Sequence, residues 1–141
     1  MGRRKGEKDM FNKHCKKVAL IMALSMMTSI SAFAAKKEFN FEMIPEGKSA
    51  YTAANSKSDN EGYAYVTVEK ANLIKGDKVE YAVSNNAETA DVSHRATYTG
   101  TLKPYKQTLK YKSGYGKKDT KYKLRIKTYN YNLKVSGRWN S

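Results

Sequence analysis

Tyr63-Ala64-Tyr65-Val66-Thr67-Val68 is the stretch that decides the fold. Aromatic and β-branched residues fill it and apolar side chains recur at every second position, the pattern of a strand with one buried face. The polar cluster Asn55 to Gly62 leads into it. Working outward, the same period returns. Phe39, Phe41 and Met43 alternate with polar partners until Pro45-Glu46-Gly47 breaks the run. Val79, Tyr81 and Val83 form a strand entered through Lys75-Gly76-Asp77 and left through Asn85-Asn86. Ala96 with Tyr98 marks a weaker one. Leu109 with Tyr111, Tyr122 with Leu124 and Ile126, and Tyr131 with Leu133 and Val135 follow, each alternating with Lys, Arg or Asn. No segment carries a convincing amphipathic-helix period. Turn signals fall roughly every 8–12 residues, which predicts an all-β domain: a small antiparallel β-sandwich or barrel of about seven or eight short strands.

The 141 residues leave room for one such domain. The N-terminus is set aside from it. Arg3, Arg4, Lys5, Lys8, Lys13, Lys16 and Lys17 precede an uncharged stretch from Val18 to Ala35, the order of a cleavable helical signal peptide. Ala32 and Ala34 put small residues where signal peptidase reads, so cleavage is expected before Ala35. This divides the chain into a signal peptide, 1–34, and a secreted cationic β domain, 35–141. An uncut anchor is the competing reading, because the run is close to the roughly 17–20 residues a spanning helix needs. Ser25, Thr28, Ser29 and Ser31 dilute it. Met10 offers an alternative start that shortens the leader to a more usual length. The single cysteine, Cys15, falls in the leader, so the domain has no thiol for a disulfide, metal cage or nucleophile and must hold its fold by packing.

Charge is unevenly distributed along the domain. Residues 35–91 carry seven lysines against ten acids, whereas residues 92–141 carry thirteen Lys and Arg against Asp119 alone. Side chains at i and i+2 share one face of a strand. Lys106, Lys110 and Lys112 therefore lie opposite Tyr105, Leu109 and Tyr111, and Lys121, Lys123, Arg125 and Lys127 lie opposite Tyr122, Leu124 and Ile126. If Ser113 to Thr120 closes a hairpin, the two rows sit side by side. With Lys117 and Lys118 in the loop, they form a candidate polyanion-binding face. The plainer account is a solvated face that keeps the protein soluble and its edges unpaired. On the hairpin reading Lys110, Lys112, Lys123 and Arg125 are all solvated, and their replacement by Gln leaves folding nearly unchanged. Tyr115 is expected to be exposed at the tip; Tyr63, Tyr65, Tyr81 and Tyr122 are expected in the core.

Catalytic constellations are hard to assemble from these residues. His94 is the domain's only histidine, there is no Gly-x-Ser-x-Gly elbow, and no His, Asp and Glu cluster has metal-ligand spacing. Gly114-Tyr115-Gly116-Lys117-Lys118 lacks the spacing of a phosphate loop and reads as a turn. The domain is therefore expected to be non-enzymatic and without cofactor. Trp139 is expected to pack on the core and tie down the last strand, the alternative being a partly exposed contact for a sugar or membrane interface. Gly137 before it suggests a bulge or a close backbone approach.

The early Phe-x-Phe strand, Tyr63 to Val68, the segment Tyr111-Lys112-Ser113-Gly114-Tyr115-Gly116-Lys117-Lys118 and the ending Val135-Ser136-Gly137-Arg138-Trp139 together resemble a family of small secreted proteins of Gram-positive bacteria. That family has no assigned activity, so the resemblance implies localisation and not mechanism. In size, export and Trp-terminated β character the chain is more loosely similar to lactococcin 972-like bacteriocins, secreted β-sandwich peptides that act on wall synthesis. The expected function is association with an anionic partner, a wall polymer or anionic lipid headgroups, at the cell surface or wall after signal peptidase has acted, with no specific nucleic acid partner. The alternatives are an antibacterial or signalling protein acting on another cell, and a self-associating structural matrix component.

Overall fold

The computed structural model describes residues 36–100 and 105–141. The signal peptide, the Ala32, Ala34 and Ala35 cleavage site and the choice of start codon lie outside the described residues. Nine strands follow in order: β1 Lys37–Ile44, β2 Ser49–Tyr51, β3 Asn55–Ser56, β4 Tyr63–Ala71, β5 Lys78–Asn85, β6 Ala96–Thr99, β7 Tyr105–Lys110, β8 Lys121–Thr128 and β9 Leu133–Asn140. There is no helix among the described residues. β2 and β3 are the short strands that the turn-rich sequence between Pro45 and Gly62 conceals.

Two antiparallel sheets share one core. The first runs β1-β9-β4-β7, the second β2-β8-β5-β6 with β3 also on β8. Ala64, Val66 and Val68 of β4, Leu109 of β7 and Leu133, Val135 and Trp139 of β9 face Val79, Tyr81 and Val83 of β5 and Tyr122, Leu124 and Ile126 of β8. Burying alternate side chains of both sheets removes apolar surface from water at about 25 cal/mol per Å², which holds the layers together without a cross-link. Where β6 and β7 come side by side the sheets do not pair. Tyr98 instead stacks on Tyr105 with centroids 3.6 Å apart, and the Tyr105 hydroxyl meets that of Tyr81 at 2.5 Å.

Two irregularities change which residues face inward. The register shifts between Phe41 and Ile44 on β1, turning Met43 out to solvent and burying Ile44, whereas the alternation of Phe39 and Phe41 predicts Met43 inside. An extra residue displaces one side-chain phase, because the period is two. A second shift between Val68 and Lys70 leaves both Glu69 and Lys70 exposed and returns Ala71 to the core. Trp139 is buried, as expected. Gly137 makes the close approach: a Cβ there would lie 2.1 Å from the Thr67 carbonyl oxygen and 3.0 Å from the Phe39 ring.

Candidate functional site

The hairpin expected between the two lysine rows does not form. β7 pairs with β4 in the first sheet and β8 pairs with β5 in the second, so residues 111–120 cross from one sheet to the other. Lys106 and Lys110 then lie on one outer surface and Lys121, Lys123, Arg125 and Lys127 on the opposite one. Separation relieves the repulsion of like charges placed directly across a strand pair. It also brings the cations of β8 against carboxylates from the acidic half of the chain.

Arg125 shows the consequence most clearly. Its Nη2 donates to Glu80 Oε1 at 2.6 Å and to Asp91 Oδ2 at 2.9 Å, and its Nε donates to Asp91 Oδ1 at 2.8 Å. Side-chain exposure is 8% for Arg125, 8% for Glu80 and 11% for Asp91, so this is a largely covered ion cluster on the outer face and not a row of solvated cations. Burial pushes the Glu80 carboxyl up, but the Tyr129 hydroxyl, 2.6 Å away, and the Arg125 guanidinium outweigh burial and hold it below the usual range. Lys123 is paired with Glu88 at 2.6 Å, and Lys127 Nζ stands 5.1 Å from the centre of the Tyr129 ring. The expectation that Lys123 and Arg125 are free, solvated binding cations is therefore wrong. One signal for it exists in the sequence: Glu80 interrupts the apolar run Val79-Glu80-Tyr81-Ala82-Val83 of a central strand, where a carboxylate requires a partner.

Of the other candidate cations, Lys112, Lys117 and Lys118 lie on the connecting loop and Lys110 and Lys121 flank it. Gly114 and Gly116 adopt φ of 85° and 78°, and Asp119 a φ of 63°, left-handed conformations that fold the loop tightly. Gly116 lies under Tyr111, where a Cβ would come within 2.8 Å of the ring, and its N–H donates to the Tyr122 hydroxyl at 2.9 Å. The loop is also tied to the segment after β3. The Asp119 N–H donates to the Lys57 carbonyl at 2.8 Å, the Lys57 N–H to the Thr120 carbonyl at 3.0 Å, and the Lys118 N–H to Asn60 Oδ1 at 2.9 Å. Lys57 is itself buried, with its ammonium 2.8 Å from Asp59 and 5.2 Å from the centre of the Tyr111 ring. The hydrogen bond from Lys57 lowers the Asp59 carboxyl below its ordinary range.

This scaffold presents Lys110, Lys117, Lys118 and Lys121 to solvent with no carboxylate at ion-pair distance among the described residues. Lys112, also exposed, donates to the Asp91 carbonyl at 2.7 Å. Tyr115 is 49% exposed, as expected for the loop. Lys106 stands apart on β7, opposite Thr67. Tyr63 and Tyr65 are not in the core: they are 39% and 37% exposed on the outer face of β4, because Ala64, Val66 and Val68 take the inward phase. His94 is exposed, and the described residues contain no group of three or more His, Cys, Asp or Glu placed to hold a metal. No protein-family model matches the chain, and no curated protein is significantly similar to it in sequence.

Proposed function

We propose that the domain is an exported, non-enzymatic protein that associates with anionic polymers of the cell surface through the lysine loop at one end of the two-sheet stack. The observation that carries this reading is the loop itself: Lys110, Lys112, Lys117, Lys118 and Lys121 occur within twelve residues against Asp119 alone, on a backbone anchored by Tyr111, Tyr122, Lys57 and Asn60. A Debye length of about 8 Å at physiological salt lets neighbouring charges on such a loop act together on a phosphate-bearing chain. Anchoring reduces the ordering that binding must impose. Wall polymers and lipid headgroups share the phosphodiester chemistry that ammonium groups attract.

Sedimentation of the purified chain with bacterial cell walls, with and without their anionic polymers, and with vesicles of anionic lipid tests this reading across a salt series. Binding that requires the anionic component and falls as salt rises supports it. Replacing Lys110, Lys117, Lys118 and Lys121 by Gln should remove that binding while changing stability by no more than about 0.5 kcal/mol per substitution, because these side chains are solvated. Salt-independent binding, or binding that survives the substitutions, rules the loop out.

A further inference from the structure

The outer face of the β1-β9-β4-β7 sheet carries a second set of features, which shares only Lys110, opposite Tyr63, with the lysine loop. Tyr63 and Tyr65 project from it as next neighbours on one side of β4, roughly 7 Å apart at two residues of strand rise. The Tyr65 hydroxyl donates to Glu61, which holds the ring in place. About three-fifths of each tyrosine is covered by neighbours on the sheet, and the remainder, 39% of Tyr63 and 37% of Tyr65, is open to a ligand.

Further along the same strand pair lies a trough. Ser136 and Gly137 of the central strand β9 form its floor, and Glu38 and Asn40 of β1 and Glu69 and Lys70 of β4 form its walls, around a volume of about 400 Å³. It continues into a second depression of about 270 Å³ that adds Asn72 and Lys134. Register aligns rings and trough: Tyr65 is opposite Asn140, Thr67 opposite Arg138 and Lys70 opposite Ser136. A ligand lying along β4 and β9 meets the tyrosines first and the trough next.

Charge on this face decides the class of ligand. Five cations, Lys70, Lys106, Lys110, Lys134 and Arg138, stand against four carboxylates, Glu38, Glu42, Glu61 and Glu69, a surplus of one, and Arg138 stands 3.5 Å from Glu69. A single-stranded nucleic acid needs a clear surplus of cations beside its stacking rings. A sugar chain does not. Its C–H faces pack on the electron-rich faces of tyrosine rings, and its hydroxyls both donate to carboxylates and accept from amides and ammonium groups.

We propose that the outer face of the four-stranded sheet binds a linear, weakly charged polysaccharide, with sugar rings on Tyr63 and Tyr65 and hydroxyls in the trough floored by Ser136 and Gly137. This site stands whether or not the lysine loop binds anionic polymer. The test is a titration of the isotope-labelled full chain with chitotetraose and with cellotetraose, following backbone amide shifts. Saturable shifts confined to β1, β4, β7 and β9 are expected with at least one of them. The Tyr63→Ala, Tyr65→Ala double variant should weaken binding at least about tenfold, since each stacked ring contributes beyond its buried area. Tyr65→Phe keeps the ring and should retain binding, and Lys117→Gln with Lys118→Gln should leave it unchanged. The proposal is overturned if neither oligosaccharide shifts these amides, if Tyr65→Phe binds as poorly as the alanine variant, if the loop variant loses binding equally, or if oligothymidylate occupies the same residues.

Discussion

Replacement of Arg125 by Gln tests the reading of the second sheet's outer face. The substitution leaves Glu80 and Asp91, each about one-tenth exposed, without the guanidinium that contacts them at 2.6 and 2.8 Å. Breaking a buried ion pair by removing one partner costs about 3–5 kcal/mol. Arg95 remains 3.0 Å from Asp91 and 3.7 Å from Glu80, but it is 62% exposed and compensates only in part, which places the loss near the lower end of that range. At about 4–8 °C per kcal/mol for a domain of this size, a loss of about 3 kcal/mol lowers Tm by about 12–24 °C. Thermal and urea unfolding followed by circular dichroism measure it. Adding Glu80→Gln to Arg125→Gln should restore part of the loss, because the stranded charge is gone. The gap between wild type and Arg125→Gln should also narrow in acid. The Glu80 carboxyl is lowered in the native protein, so its contribution is complete above the ordinary 4.5 and is lost as pH falls through the folded value. A Tm for Arg125→Gln within about 2 °C of wild type would mean that the arginine is solvated after all.

Three other expectations follow from the geometry. Gly137→Ala sets a Cβ 2.1 Å from the Thr67 carbonyl, a backbone atom that cannot swing away, and should destabilise by at least about 2 kcal/mol in urea titration; a change below about 0.5 kcal/mol refutes the close approach. Gly116→Ala forces a side chain into φ +78° and against the Tyr111 ring, costing about 1–3 kcal/mol. It should speed exchange of the Gly116 and Asp119 amides and weaken polymer binding with every lysine intact; binding at wild-type strength would show that loop anchoring is irrelevant. In alkali, burial pushes the Tyr105 hydroxyl up to about 12 and raises Tyr81, Tyr111 and Tyr131 as well. Their contribution is complete below the ordinary value of 10.0 and is lost as pH rises through the folded values, so phenolate absorbance should appear in two steps, the second coincident with unfolding. A single step near the ordinary value speaks against buried tyrosines.

How much of this was legible beforehand varied with the range of the interaction concerned. The strands at 63–68, 79–83, 105–110 and 121–127 follow from period-two alternation, a local property. The larger side chains of Tyr63 and Tyr65 predict the wrong phase for β4 when compared with Ala64 and Val66. Which alternate set faces inward depends on the space available between the sheets, and there the small residues fit beside Trp139 and Leu109. Met43 departs from its predicted side for a related reason, since the bulge that reverses it is a feature of pairing with β9.

By itself the sequence determined an all-β domain, most of its strands, a buried terminal tryptophan, a tight turn at Gly114 to Gly116 and a surplus of cations in the second half of the chain. Each of these depends on composition, spacing or backbone preference within a few residues. Tertiary structure alone decided which cations are available. Strand partners come from distant parts of the chain, and pairing β8 with β5 instead of β7 places Arg125 between Glu80 and Asp91 and Lys123 beside Glu88. The loop at 111–120 and its two flanking positions are thereby left with Lys110, Lys117, Lys118 and Lys121 free of carboxylates among the described residues. Charge is a sum over the sequence, but a charge's freedom to bind depends on which distant residues the fold sets next to it.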